Sequence, residues 1–375
     1  MRALARLIAS GWCAALVLLV ACSAGASQPS APAAPAAPAP AAPAVQAAET
    51  TSAPAAPRTP DPVRLGVIGS ASDAGFYLGL DLGYFGEQGL DVQTVPFGAG
   101  GEMVGPLGTG QLDVGGGNHS AGLFNAAARG IGIKLVADKG SLRPGHGYQA
   151  LVFRRDLVES GQLRNPGDLR GLKMATSGRG GGGDRTMAAW LNAYGLTLDD
   201  VDWVELPFAQ HAAAFAGHAV EAVTSVEPFV TQLVDRDLGT IYQRADEVIP
   251  NFQVAAVFYG DQFAQGQADV ARRFMLAYIK ALRYYNDAFD HGDQAKRREV
   301  VAILARNTPV KDEALYERMV VPGLDPDGRV NVDSLVQDQE LWISIGLQQT
   351  RANINELVDQ SFADAAVQAL GPYRP

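Results

Sequence analysis

From Val63 onward, short apolar runs alternate with stretches whose apolar residues return at helical spacing, the pattern of an α/β domain with largely parallel strands. Val63–Ile68 reads as a first strand. Asp73 is placed to cap a helix carrying Phe76, Tyr77, Leu80 and Phe85, which Gly89 ends, and Leu90–Phe97 reads as a second strand. Gly98–Glu102 opens a helix running to about Gly110. Leu112–Gly116, Ser120–Arg129 and Ile133–Ala137 follow as strand, helix and strand. The ends of the first strands meet small or polar loops at 70–73, 98–102 and 117–120, and in open α/β sheets such loops border the ligand crevice.

The alternation then repeats. Gln149–Phe153 and Leu172–Ala175 read as strands, Asp184–Tyr194 as a helix, Val201–Leu206 as a strand, Gln210–Gly217 as a helix and Val220–Thr224 as a strand. Val254–Tyr259 reads as a strand returning to the first unit beside Gln149–Phe153. The remainder is helical, and Phe274, Tyr278, Leu282 and Tyr285 at helix spacing are expected in the core. The division expected is therefore a first lobe of residues 63–153 plus 251–375 and a second lobe of residues 154–250, joined by two hinge crossings.

The N-terminal end has a different character. Arg2 and Arg6 precede an apolar stretch, Gly11–Ala21, too short to span a bilayer and ending in small residues, which is the layout of a secretory signal peptide over residues 1–21. Leu19-Val20-Ala21-Cys22 looks like a bacterial lipobox, so Cys22 is the expected lipidation site. Residues 22–62 are rich in Ala, Pro, Ser and Thr with almost no large apolar residue; they read as an extended tether. An exported protein, lipid-anchored at the outer face of the cytoplasmic membrane, is the expectation.

Composition narrows the chemistry. The only cysteines are Cys13, inside the segment to be removed, and Cys22, so the mature domain has no disulfide, thiolate nucleophile or cysteine metal site. The formal net charge is −10, and loss of Arg2 and Arg6 makes it more negative, which argues against nucleic acid and against a polybasic membrane contact. The five histidines, at 119, 146, 211, 218 and 291, show no paired zinc spacing, so no metal is expected.

Phe76–Val92, read as FYLGLDLGYFGEQGLDV, resembles the opening of the sulfonate, taurine, nitrate and thiamine-precursor group of type II periplasmic binding proteins. Leu112–Val114, Asp168–Thr176, Gly195-Leu196 with Asp199-Asp200-Val201, and Val226-Glu227-Pro228 look like later landmarks of that group, in the same order. The resemblance implies a monomeric bilobed body, a small polar, anionic or zwitterionic solute closed between lobes, and delivery to an ABC permease with a cytoplasmic ATPase. It implies no cofactor and no catalytic residue. Two alternatives stand beside import: an occupancy sensor for a signalling partner, and an enzyme like the thiamine-pathway pyrimidine synthases, whose cysteine-rich iron motif the mature chain lacks.

Candidate ligand contacts follow from residue type and place. Ser177 to Arg185 is a glycine-rich turn between a strand and a helix, offering backbone N–H groups and the positive helix end to an anion; Ser177, Arg179, Gly181, Gly182 and Arg185 are its candidates. Its spacing is superficially that of a phosphate-binding P-loop, but Asp184 stands where the lysine belongs and would repel phosphate. Ser70, Asp73, Gly100, Gly101, Asn118, His119 and Ser120 lie on the strand-end loops of the first lobe. Phe76, Tyr77 and Phe208 are candidate walls, each equally suited to packing. Arg143, His146 and Tyr148 precede the hinge strand. Glu227 either faces the solute, favouring an amine-bearing one, or pairs with an arginine.

Overall fold

The computed structural model describes residues 59–374. The signal peptide, Cys22 and all but the end of the tether lie outside the described residues. Ten strands are introduced here in chain order: β1 Asp61–Val67, β2 Leu90–Pro96, β3 Val114–Gly117, β4 Ile133–Ser141, β5 Gln149–Arg154, β6 Lys173–Thr176, β7 Asp202–Glu205, β8 Ala222–Val226, β9 Gly239–Arg244 and β10 Gln253–Gly260. Six helices matter for the site: α1 Ala74–Asp81, α2 Ala121–Ala128, α3 Gly182–Asn192, α4 His211–Ala216, α5 Ala268–Phe289 and α6 Val332–Ser344.

The strands form two five-stranded sheets of equivalent topology, ordered β2-β1-β3-β10-β4 and β7-β6-β8-β5-β9. In each sheet one strand opposes the others: β10 is antiparallel to β3 and β4, and β5 is antiparallel to β8 and β9. Those two strands follow the two crossings between lobes. The placement of Gln149–Phe153 is a correction to the sequence reading. β5 belongs to the second sheet and does not touch β10, so the change of lobe falls between Ser141 and Gln149 rather than after Phe153. The crossings run side by side, with Leu142 N donating to Phe252 O at 2.8 Å and Asn251 N to Leu142 O at 2.7 Å.

The long helix α5 covers the first sheet. Phe274, Tyr278, Leu282 and Tyr285 are fully buried, as their spacing predicts. Phe76 and Tyr77 join this core instead of lining a cleft: the Phe76 ring centroid lies 5.0 Å from that of Tyr278. The glycine run of β3 makes room for it, because a Cβ on Gly116 would sit 2.1 Å from the Phe76 ring. Among the described residues, no helix is long and apolar enough to cross a membrane.

Candidate functional site

Between the lobes lies a cavity lined by residues of both. Lobe I builds its wall from the loop after β1, the end of β3 and the end of β4. The Asp73 side chain shapes the first loop: its Oδ2 accepts N–H bonds from Ile68, Gly69 and Ser70 at 3.2, 2.7 and 3.0 Å. Asp73 thus supports the wall without lining it, while Ile68, Ser70 and Ser72 face the cavity. Lys139, from the end of β4, is buried there. Its Nζ lies 2.9 Å from Asp73 Oδ1 and donates to Ser72 Oγ at 2.9 Å. An ammonium carries three N–H donors, and these neighbours occupy at most two. Lys139 is the one basic side chain among the residues lining the cavity.

Lobe II contributes Thr176 and Ser177 from the end of β6, Thr224 and Val226 from β8, Phe208, and the first turn of α3 through Gly182 and Gly183. The first N–H groups of a helix have no partner within it and attract anions. Tyr148 and Gln149 close the hinge side, with Val254 and Ala255 of β10. Three buried polar atoms of this lining have no hydrogen-bond partner: Tyr148 Oη, Gln149 Oε1 and Thr224 Oγ1. Burial holds the Tyr148 hydroxyl well above its ordinary pKa, so it remains a neutral donor.

The rim is shut. Ala121 N donates to Gly180 O at 2.8 Å, Ser120 bridges to Gly181, and Ala71 N donates to Glu227 O at 3.0 Å, each bond joining lobe I to lobe II. Outside this seam an open groove is lined by Gly101, Ser120 and Arg179, together with Asn118 and Ser177, which also line the cavity. Gly181 forms the seam, and Gly100 holds Asn118 in place by donating its N–H to Asn118 Oδ1 at 3.0 Å.

Several expected contacts turn away. His119 is fully buried in lobe I, its Nε2 2.6 Å from Asp338 Oδ2 and its ring beside Trp342. Arg185 reaches Asp338 and Ser334 on α6 rather than the cavity. Glu227 takes the second of its two readings. It is buried, its Oε2 accepts Thr231 N–H at 2.9 Å and its Oε1 faces Arg244 at 3.4 Å, while burial raises its carboxyl pKa. Asp184 is tied to Arg179 Nε and Gly180 N and serves the glycine-rich loop itself. Arg143 and His146 contact Asp290 instead of the cleft.

Sequence reasoning missed Ser72, Lys139, Gln149, Thr176 and Thr224. The strand read from the sequence ends at Ala137, two residues short of Lys139, and the polar pair Asp138-Lys139 that continues it carries no local sign of which side chain faces the cleft. Among the described residues no cluster of three or more His, Cys, Asp or Glu side chains is arranged to hold a metal, and none of those residues is cysteine.

A match to the NMT1-like family spans residues 56–305. The chain belongs to that family. A search of curated proteins finds no match. Among solved structures, the alkanesulfonate-binding protein SsuA from Xanthomonas axonopodis pv. citri, bound to MOPS, is 18% identical, with 81% of this chain and 99% of that one covered and a TM-score of 0.64. The periplasmic nitrate-binding protein NrtA from Synechocystis PCC 6803 is 15% identical over 83% and 89%, with a TM-score of 0.67. The C27S mutant of DSZB in complex with biphenyl-2-sulfinic acid is 17% identical over 82% and 99%, with a TM-score of 0.54. These likenesses establish for the NMT1-like chain the two-lobed periplasmic binding protein fold, shared with the sulfonate- and nitrate-binding group its sequence resembles.

Proposed function

We propose that the chain is the extracytoplasmic solute-binding component of an ABC importer, exported, lipidated at Cys22, and acting as a monomer that hands its solute to a permease. Capture requires only differential affinity for the closed arrangement and no catalytic group. The observation that carries this reading is the cavity: a buried polar atom left unpaired costs about 1–3 kcal/mol, and Tyr148 Oη, Gln149 Oε1 and Thr224 Oγ1 all lack a partner there. A solute completes them.

Its chemistry follows from the lining. The spare N–H of Lys139, the Tyr148 hydroxyl and the first turn of α3 favour an anionic oxygen-bearing head, while Ile68, Phe208, Val226 and Val254 favour a short apolar body. A small sulfonate or carboxylate fits both. SsuA and NrtA, by their names, bind anions of related kind.

The test is a thermal-shift and calorimetric panel of short alkanesulfonates, taurine, small carboxylates, nitrate and aminopyrimidines. A raised melting temperature with an anion, lost in the Lys139→Met/Asp73→Asn double variant, supports the proposal; no response to any member, or a response that survives the double variant, overturns it. For the anchor, radiolabelled palmitate should enter the wild-type protein and not Cys22→Ser. Equal labelling, or none in either, removes the anchor from the reading.

A further inference from the structure

We infer that Asp338 on α6 is an interlobe latch that grips Arg185 of the opposite lobe and thereby sets how firmly the cleft stays shut. Helix α6 belongs to lobe I: Leu335 and Trp342 pack in one cluster with Phe124, Ile133, Leu135 and Phe258, and the Trp342 and Phe124 rings meet edge to face at 5.0 Å. Arg185 stands on α3, whose Met187, Trp190 and Leu191 are buried in lobe II.

The guanidinium crosses the gap. Its Nη1 donates to Asp338 Oδ1 at 2.9 Å, to Ser334 O at 3.0 Å and to Ser334 Oγ at 3.2 Å, and its Nη2 donates to Gln337. The guanidinium carbon also lies 4.9 Å from the centroid of the Phe252 ring, on the second crossing. Asp338 is completely buried and the Arg185 side chain only 11% exposed, so the pair works in a poorly screened setting.

The division of partners makes the contact reversible. Asp338 Oδ2 keeps His119 of its own lobe at 2.6 Å, while Oδ1 holds the arginine of the other. When the lobes part, the carboxylate retains His119 and the guanidinium returns to water. Both ends of the latch adjoin the cavity lining: His119 follows Asn118, and Arg185 lies one turn after Gly182. One carboxylate therefore links the two lobes next to the cavity lining and beside the second crossing.

The inference needs the lobes to separate, as the proposed function also does, but not any particular solute. It is tested by amide hydrogen exchange on the full chain with no solute added. Arg185→Met is expected to raise exchange about tenfold in segments 117–121 and 177–186, as a locally opening unit does, while β1 and α5 stay unchanged; Arg185→Lys should restore part of the protection. Asp338→Asn should give the same pattern, and if that variant fails to fold, Arg185→Met decides. Unchanged exchange at the cleft, or an equal rise in β1 and α5, overturns the latch. No response of the wild-type protein to any solute of the panel, with the exchange pattern of Arg185→Met as expected, would instead count against the proposed function alone.

Discussion

The two lobes share one strand order, yet they bring different chemistry to the cavity. Lobe I supplies a charge, Lys139, balanced by Asp73 behind it. Lobe II supplies none: its share is hydroxyls, an aromatic wall and a helix N-terminus. The scaffold is duplicated, while the residues at the strand ends decide what each half can do. The same contrast recurs in the cores, where each lobe buries a titratable group shifted the opposite way. In lobe I, burial pushes the Asp138 carboxyl up to about 6. In lobe II, burial pushes the His211 imidazole down to about 4.

The sharpest way to break the comparison is Lys139→Met. It leaves Asp73 buried without its counter-charge and should cost about 3–5 kcal/mol in denaturant unfolding, part of which a second change, Asp73→Asn, recovers. A loss no larger than that of a lobe II hydroxyl would show that charge is not concentrated in lobe I.

The pH profile comes next. The folded state holds more protons on Asp138 than the unfolded chain does, so this group lowers stability as pH rises from about 4 to about 6, by roughly 3 kcal/mol in all. For His211 the unfolded chain holds more protons, so its stability contribution is lost as pH falls from 6.5 towards about 4, again by roughly 3 kcal/mol. The two slopes oppose, and the wild-type urea midpoint should change little between pH 4 and pH 6. Asp138→Asn should make the protein acid-labile; His211→Gln should make it gain stability on acidification. A wild-type midpoint that falls steeply in this window would contradict the balance.

Smaller effects separate the loops. A Cβ on Gly100 would lie 2.2 Å from the Asn118 carbonyl oxygen, so Gly100→Ala should cost about 1–3 kcal/mol and displace Asn118. In lobe II, a Cβ on Gly178 meets its nearest neighbour, Ala99, at an ordinary 3.4 Å, and Gly178→Ala should stay within about 0.5 kcal/mol. Equal melting temperatures for the two variants would remove this asymmetry. The smallest change expected is Thr224→Val. Deleting an unpartnered hydroxyl should leave stability unchanged or raise it by up to about 1 kcal/mol while weakening solute binding.

What the sequence alone determined is everything that depends on local periodicity and short-range capping. The β/α alternation, the helix start held by Asp73, whose Oδ2 accepts Ser70 N–H at 3.0 Å, and the buried aromatic face of α5 are all of this kind. The tertiary structure decided the direction of side chains at strand ends and their partners. Asn118 and His119 are neighbours just past the end of β3, yet Asn118 lines the cavity while His119 is buried in lobe I. The glycines before them carry no apolar alternation to reveal which one faces the cleft. Lys139 needs Asp73, and Glu227 needs Arg244, each brought close only by strand pairing. The antiparallel setting of β5 was hidden for the same reason: an apolar run shows that a strand will be buried, but which neighbours pair with it depends on the path of the chain through space.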